Sequence, residues 1–420
     1  MITGEEDFNV FLTISKKKAS CYNMKRLMVL GAGILQVPVI KKAREMGVFV
    51  IAADDDPGAV GLKYADKCVV GKHLFNLEVM LAVARSEKID GVIHPCSEVA
   101  MNTMGYINEK MGLPGIDLRS ALRATNKEKM RRAFERGGAP SPKSFGVVSF
   151  ESAVIAARQI DGDIIVKPSR NSGSRGVTKL SKGYSESELK VAVDRAINES
   201  RDRSAMIEQF IEGPEFSVEI IVWNKEVHVL QVTDKKTTGA PYFVELGHNQ
   251  PSLFPEHIVE AVKSAAIMGV KALEVNNCAC HAEIKFQDGH AYIMEIGARL
   301  GGDFISTELT RLSTGIDMVA AAINVALGEK PNLEPITKPQ GVAIRYYTPK
   351  PGTVVSVSNT EALNRTDVFD AEIYVKAGDT VKEVKSSLDR SGHVIVTAPT
   401  PKEAIQIADS LVTSIKIITE

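Results

Sequence analysis

At 420 residues, with 51 Lys plus Arg against 52 Asp plus Glu and a formal net charge of -1, the chain is long enough for two or three domains and carries no global attraction for nucleic acid or an anionic membrane. Its 44% hydrophobic and 25% charged residues are an ordinary globular composition, and no apolar run approaches the ~20 residues that span a bilayer. Five scattered cysteines do not make a disulfide framework.

Residues 1–23 read as a polar extension. The acidic start "MITGEEDFNV" lacks the basic flank of a signal peptide, and "FNVFLTI" is short for its apolar core, so a cytoplasmic protein is expected. The first core-like strand follows Met24, an alternative start. From 24 to 120 strands and helices alternate. "LMVLGAG", "VFVIAADDD" and "IDGVIHP" read as buried parallel strands, and "VPVIKKAREMG" as a helix stopped at Gly47. Such alternation predicts a doubly wound sheet. "GAGILQ" carries Gly31 and Gly33 of a dinucleotide fingerprint but has Gln36 where the third Gly belongs. It reads as a turn or as a weak nicotinamide-cofactor site with Asp54, Asp55 and Asp56 near a ribose. "HPCSEVA" follows the third strand at the carboxyl edge of the sheet. There Ser97 is a candidate N-cap whose neighbouring amides could take an anion, and Ser97-Glu98 is equally a plain helix start.

The middle block, 121–329, carries the chemistry. "DIIVKP" is a strand ending at Lys167, and "SRNSGSRGV" follows it. Ser172, Gly173, Ser174, Arg175 and Gly176 offer backbone N–H groups and positive charge in one short loop, which suits polyphosphate. The Gly-Lys-Ser/Thr ending of a Walker A loop is missing, and by itself the stretch could be a surface loop. Lys127 opens the helix "KEKMRRAFERGG", which ends at Gly137 and Gly138. "MIEQFIEGPEFSVEIIV" reads as two strands around a turn. Its connecting backbone could pair with a purine edge and Glu215 with ribose hydroxyls. "CHAEIKFQDGHAYIMEIGARLGGD" reads as a β-hairpin carrying Glu283 and Glu295, a carboxylate pair suited to Mg²⁺. With a two-residue turn at Asp288-Gly289 the two glutamates face opposite sides. A three-residue loop of Asp288, Gly289 and His290 sets them directly opposite, so the chemistry requires the longer turn. "CACH" reads as packed strand cysteines rather than zinc ligands, because two further ligands at suitable spacing are not evident. Beyond 330 come β-rich segments and a final helix, "PKEAIQIADSLVTSI".

Taken in order, Lys127, Lys167, the Gly-rich loop, the 208–215 segment, the paired glutamates and Arg299 resemble the ATP-grasp superfamily, over roughly residue 27 to the C-terminus. The resemblance implies an α/β chain. An ATP-grasp fold of two α+β lobes (121–329) would be preceded by a Rossmann-like parallel βα domain (24–120) and followed by a small β-rich C-terminal region (330–420). It implies ATP binding by Lys127, Lys167, Ser172, Gly173, Ser174, Arg175, Gly176, Glu208, Gln209, Phe210, Ile211 and Glu215. Mg²⁺, or Mn²⁺ in its place, would sit on Glu283 and Glu295. The superfamily's usual ending resembles Glu-x-Asn-x-Arg, and Gly297 stands where that Asn commonly supports a second ion, so the metal number stays open.

"EIGARLGGD" and "APYFVELGH" look most like the L-amino acid ligases, which join two amino acids at the expense of ATP. That branch implies catalytic roles for Arg299 and His248. It implies a substrate pocket from Glu245, His248, Arg299, Gly301, Gly302, Ser97 and Glu98, with "PYF" as apolar wall. The partners implied are small molecules, without nucleic acid or membrane, and a homodimer is admitted. The alternative is a purine-pathway carboxylase or ligase acting on a ribotide or carboxyphosphate.

Overall fold

In the first sheet, Met28, Leu30, Ile51 and Ala53 point into one buried layer and Leu27, Val29, Val50 and Ala52 into the other. Helices must therefore cover both faces. The computed structural model describes residues 24–420 apart from 72 and 172–174, so the 1–23 extension and the expected phosphate contacts of Ser172, Gly173 and Ser174 lie outside the described residues. The sheet is parallel, in the order Lys67–Val70, Phe49–Asp54, Arg26–Leu30, Gly91–Ile93. Val37–Glu45 packs on one face and Leu77–Ser86 with Met101–Met111 on the other. A later helix, Met318–Ala326, also docks here. A Cβ on Gly91 would lie 2.1 Å from the Ala326 carbonyl oxygen, so only glycine fits.

The crevice between the strands Arg26–Leu30 and Gly91–Ile93 is where such a sheet would take a dinucleotide. It is filled. His94 Nδ1 bonds the Leu30 carbonyl at 2.7 Å and Gln36 Nε2 donates to the Pro95 carbonyl at 2.9 Å. Asp54 accepts from Ala32 N at 2.6 Å and Asp56 N at 2.8 Å, so its carboxylate serves the loop. The nicotinamide-cofactor reading fails on these contacts. Nor does Ser97 cap a helix. Its Oγ accepts from Val99 N at 3.3 Å and the helix begins only at Met101.

A second sheet, antiparallel, runs in the order Ser144–Val147, Ala205–Gln209, Ile164–Pro168, Thr178–Leu180. Phe150–Ala157 and Glu186–Glu199 cover it, each opened by a capping box, Ser149 with Ser152 and Ser185 with Glu188. The third sheet has eight antiparallel strands: His290–Gly297, Cys278–Gln287, Glu215–Trp223, Glu226–Thr237, Glu245–Gln250, Gly341–Tyr346, Gly392–Ala398 and Val368–Ile373. Glu256–Ala272 packs on Phe216, Val218, Ile220 and Ile284, while Met318–Ala326 takes the other face through Ile221 and Ala279. The C-terminal strands thus extend the central sheet, under the final helix Pro401–Ser414. A small sheet of Thr380–Val381, Gly352–Ser358 and Lys416–Thr419 completes the end of the chain. No helix among the described residues is long and apolar enough to cross a membrane.

The metal hairpin departs from expectation in an informative way. Gln287 pairs with His290, so the turn is the two-residue Asp288-Gly289, with φ of 50° and 81°. The expected three-residue loop is absent. Even so, Glu283 pairs directly with Glu295, because the register shifts between Glu283 and Ile284 and leaves Met294 as the extra residue. A β-bulge does what the longer turn was expected to do.

Candidate active site

A cleft lies between the second and third sheets, and its floor is charged. Lys167, at the end of Ile164–Pro168, places Nζ 2.6 Å from Glu208 Oε2. Arg131, one turn into the helix Lys127–Gly137, grips the same carboxylate at 2.9 and 3.1 Å. It also donates to the carbonyls of Ile293 and Met294 at 3.1 and 2.8 Å, tying the bulge to the opposite sheet. Glu208 therefore serves to hold Lys167. Burial alone would raise its pKa, but Arg131 and Lys167 outweigh burial and bring the carboxyl to about 2. Burial lowers Lys167 in spite of Glu208, and Arg131 and Lys127 push the same way. The two partners shift differently because Glu208 shares its charge with Arg131.

Lys127 is buried at the start of its helix, with Nζ 2.8 Å from Glu295 Oε1 and 3.2 Å from the Asn171 carbonyl. Burial opposes its charge, but Glu295 and Glu98 prevail and its pKa is raised. Gly176 has φ 76°, and a Cβ there would meet Pro168 Cγ at 2.8 Å, so the loop turns back only on glycine. Arg175 lines the cleft. In the 208–215 segment the N–H groups of Gln209 and Phe210 already donate to the Lys143 and Asp163 carbonyls, at 2.8 and 3.0 Å, and are not free for a purine edge. Phe210 stands with Phe243, Ile165, Val177 and Met294 as the apolar part of the lining, and Ile211 presents its carbonyl to Lys285 Nζ at 3.1 Å.

Two features escaped the sequence. Lys235, only 3% exposed, lies 2.6 Å from Glu215, 3.3 Å from Glu283 and 3.7 Å from Glu245. Burial works against its charge, but the three carboxylates hold its pKa well above the usual value. In "VTDKKTTG" the signal was two successive lysines in a strand, one of which must face inward. The second is His281, whose Nδ1 is 2.5 Å from the buried Glu219. Burial would lower it, but Glu219 raises it to about 9, so it adds a cation beside Glu283. Glu283 is held well below the carboxylate range, chiefly by Lys235.

These features can be set beside known proteins. The ATP-grasp domain model matches residues 160–308, and the model of L-amino acid ligase C-terminal domain 2 matches 345–420. Residues 160–308 are an ATP-grasp domain. The chain is 26% identical to alanine–anticapsin ligase of Bacillus subtilis, over 59% of this chain and 56% of that protein, so it spans little more than half of that relative. Among solved structures, the L-amino acid ligase from Bacillus licheniformis superposes with a TM-score of 0.80 at 21% identity, over 94% of this chain and 99% of that one. Phosphoribosylglycinamide synthetase from Anaerococcus prevotii gives 0.76 at 24%, over 95% and 100%. At these identities the structures share the fold.

Around this ATP-grasp domain the expected substrate-side residues divide. Arg299 reaches the cleft, where Nη2 donates to Glu98 Oε1 at 3.3 Å. Its Nε is buried without a hydrogen-bond partner among the described residues. A Cβ on Gly297 would sit 3.0 Å from Arg299 Cζ, so the arginine folds through the place of the usual Asn and Gly297 offers no metal ligand. Burial, with Glu295, raises the pKa of Glu98 despite Lys127 and Arg299. Glu245 lines the cleft. Four expected pocket residues do not. Ser97 bonds only its own turn. His248 is 1% exposed and turns Nε2 to Asp303 Oδ2 at 3.3 Å. Gly301 is pressed on His281, where a Cβ would lie 2.5 Å from Nδ1, and Gly302 is likewise outside the lining. Cys280 is buried in the core and Cys278 donates to the Ala298 carbonyl, as strand residues.

Glu283 and Glu295 fit Mg²⁺ by their chemistry: two facing oxygen donors on a bulged hairpin, with open cleft beside them for phosphate oxygens. Among the described residues no third His, Cys, Asp or Glu joins them.

Proposed function

We propose that the protein is an ATP-dependent carboxylate–amine ligase that joins two amino acids through an acylphosphate and releases ADP and phosphate. The observation that carries this reading is one cleft in which Lys127, Lys167 and Arg299 face the carboxylate pair Glu283 and Glu295, with Glu245 on the same wall. The match of 345–420 to an L-amino acid ligase domain supports the amino-acid assignment.

Glu283 and Glu295 would hold Mg²⁺, which when bound neutralises phosphate charge and orients the triphosphate. Lys127 and Lys167 hold the phosphate chain, with Phe210 against the base and Glu215 near the ribose. A substrate carboxylate oxygen attacks the γ-phosphorus, and the bond to the β-phosphate oxygen breaks to release ADP. The amine lone pair then attacks the acyl carbon, phosphate leaves, and the nitrogen gives up a proton. The protein supplies position and fixed charge rather than a nucleophile. Arg299 presents a planar fork to the carboxylate and its phosphate, and stabilises the oxyanion that forms as the amine adds. Glu245 offers a negative partner to the substrate ammonium.

The test is a screen of amino-acid pairs for ADP release, with mass spectrometric detection of the dipeptide. ADP formation that requires a pair of amino acids supports the ligase. ADP formation that requires bicarbonate or a ribotide instead assigns the cleft to the purine-type reaction.

A further inference from the structure

The turn that follows Arg299 is held in an uncommon conformation. Asp303 and Phe304 are consecutive non-glycine residues with φ of 52° and 62°. Such residues persist only where their surroundings over-determine them. Here both are gripped by one short stretch of the C-terminal region. Arg390 donates to the Asp303 carboxylate at 2.7 and 2.8 Å, and its guanidinium lies 3.7 Å from the Tyr346 ring centre. Three residues on, the His393 ring stacks on Phe304 at 4.5 Å, itself fixed by Tyr374 at 2.7 Å and Asp370 at 2.9 Å.

The same stretch reaches the cleft wall. Ser387 Oγ donates to Glu245 Oε2 at 3.1 Å, and Arg390 Nη1 to the Glu245 carbonyl at 3.4 Å. Arg390 thus joins two separated pieces of the site, the turn after Arg299 and the strand bearing Glu245. Between Arg299 and Asp303 only Leu300, Gly301 and Gly302 intervene, so Asp303 anchors the backbone that carries the guanidinium. Burial would raise the Asp303 carboxyl, but Arg390 and His248 hold it well below the carboxylate range, and the pair stays charged at neutral pH.

We infer that Arg390 is a positioning residue, which through Asp303 and Glu245 sets the amino-acid end of the cleft and not the nucleotide end. The identity of the substrate rests on the ligase reading; the clamp itself does not.

Two readouts keep these apart. In Arg390→Gln, amide hydrogen exchange over 300–305 is expected to rise about tenfold or more while exchange at Lys127 and Lys167 is unchanged. In steady-state kinetics its amino-acid KM is expected to rise about tenfold or more, with the ATP KM within about twofold. Arg390→Lys keeps the charge but loses the fork, and should fall between the two; it also carries the test if the Gln variant does not fold. Unchanged exchange over 300–305 in a folded variant overturns the clamp. Equal rises in both KM values overturn its restriction to the amino-acid end. If the unsubstituted protein makes no ADP with any amino-acid pair, the ligase reading falls, and the exchange data still decide the clamp.

Discussion

Replacing Glu208 with Gln removes one charge and keeps the shape, at the point where both sheets of the cleft are tied together. Glu208 is buried beneath Arg131 and Lys167, bonded at 2.9, 3.1 and 2.6 Å. Burial opposes its ionisation, yet the two cations bring its pKa from 4.5 to about 2. A depression of that size corresponds to about 3 kcal/mol of folding stability at neutral pH. The folded-state value lies below the unfolded one, so this stability is present above pH 4.5 and is lost as pH falls toward 2. The variant also leaves two buried cations without their anion, a loss of roughly 3–5 kcal/mol at pH 7. Urea unfolding, followed by the sole tryptophan, Trp223, and by far-UV circular dichroism, measures the gap. The variant should be less stable than the unsubstituted chain at pH 7, and the gap should narrow by roughly 2 kcal/mol at pH 3. An equal gap at both pH values, or none at pH 7, refutes the account of the Arg131–Glu208–Lys167 cluster.

Further outcomes follow from the same geometry. Lys167→Met should weaken ADP binding at least ~10-fold by calorimetry while leaving the dichroism spectrum intact, since Glu208 keeps Arg131 as partner; an unchanged affinity removes Lys167 from the phosphate site. Burial lowers the Lys167 pKa from 10.5, with Arg131 and Lys127 adding to it, and a bound phosphate favours the charged form. Nucleotide affinity should therefore decline with rising pH before 10.5 is reached, and this decline should vanish in Lys167→Met. Glu295→Gln should abolish the protein's Mn²⁺ binding in the presence of ADP, read by electron paramagnetic resonance as no loss of the six-line signal beyond that caused by ADP alone; a signal attenuated as strongly as by the unsubstituted protein counts against the carboxylate pair. Glu245→Ala should raise the amino-acid KM roughly 10- to 100-fold with the ATP KM within about twofold, because Lys235 keeps Glu215 and Glu283. A matching rise in the ATP KM places Glu245 at the nucleotide instead.

Much of this was legible because it depends on order and local pattern. The strands around Met28 and Ile51 are buried on both faces, which forces continuous apolar runs, and those runs are visible without a fold. Lys127, Lys167, Glu283, Glu295 and Arg299 were recognised as an ordered set, and all five line one cleft. What stayed hidden depends on register or on distant neighbours. A residue must be added to one strand for Glu283 to oppose Glu295, but face alternation says nothing of where; the chain adds it at Met294 instead of lengthening the turn. His248 lies opposite Lys235 after the register shift beside Thr237, yet Asp303, 55 residues on, draws its ring away from the cleft. Lys235 looks like a surface lysine until Glu215 and Glu283 arrive from neighbouring strands. Glu219 and His281 read as ordinary strand residues, 62 positions apart, before the sheet brings them together.

The pairing of these groups bears on how the cleft manages its own charge. A lysine taken out of water keeps its proton only if an anion compensates. Lys127 and Lys235 have carboxylates at 2.8 and 2.6 Å and their pKa values are raised, whereas Lys167 shares its single carboxylate with Arg131 and falls. If the cleft holds a phosphate chain as proposed, Lys167 is the cation with most to gain from it, and Lys127 the one that must release a partner to take it. That partner is Glu295, so a phosphate that draws Lys127 away leaves a carboxylate facing the cleft beside Glu283. With Mg²⁺ on Glu283 and Glu295, as the proposed function has it, Glu295 would exchange Lys127 for the ion and no buried charge would be stranded. On the proposed reaction, a cleft built this way would be organised for a polyanion before one arrives, which is the electrostatic preorganisation that phosphoryl transfer requires.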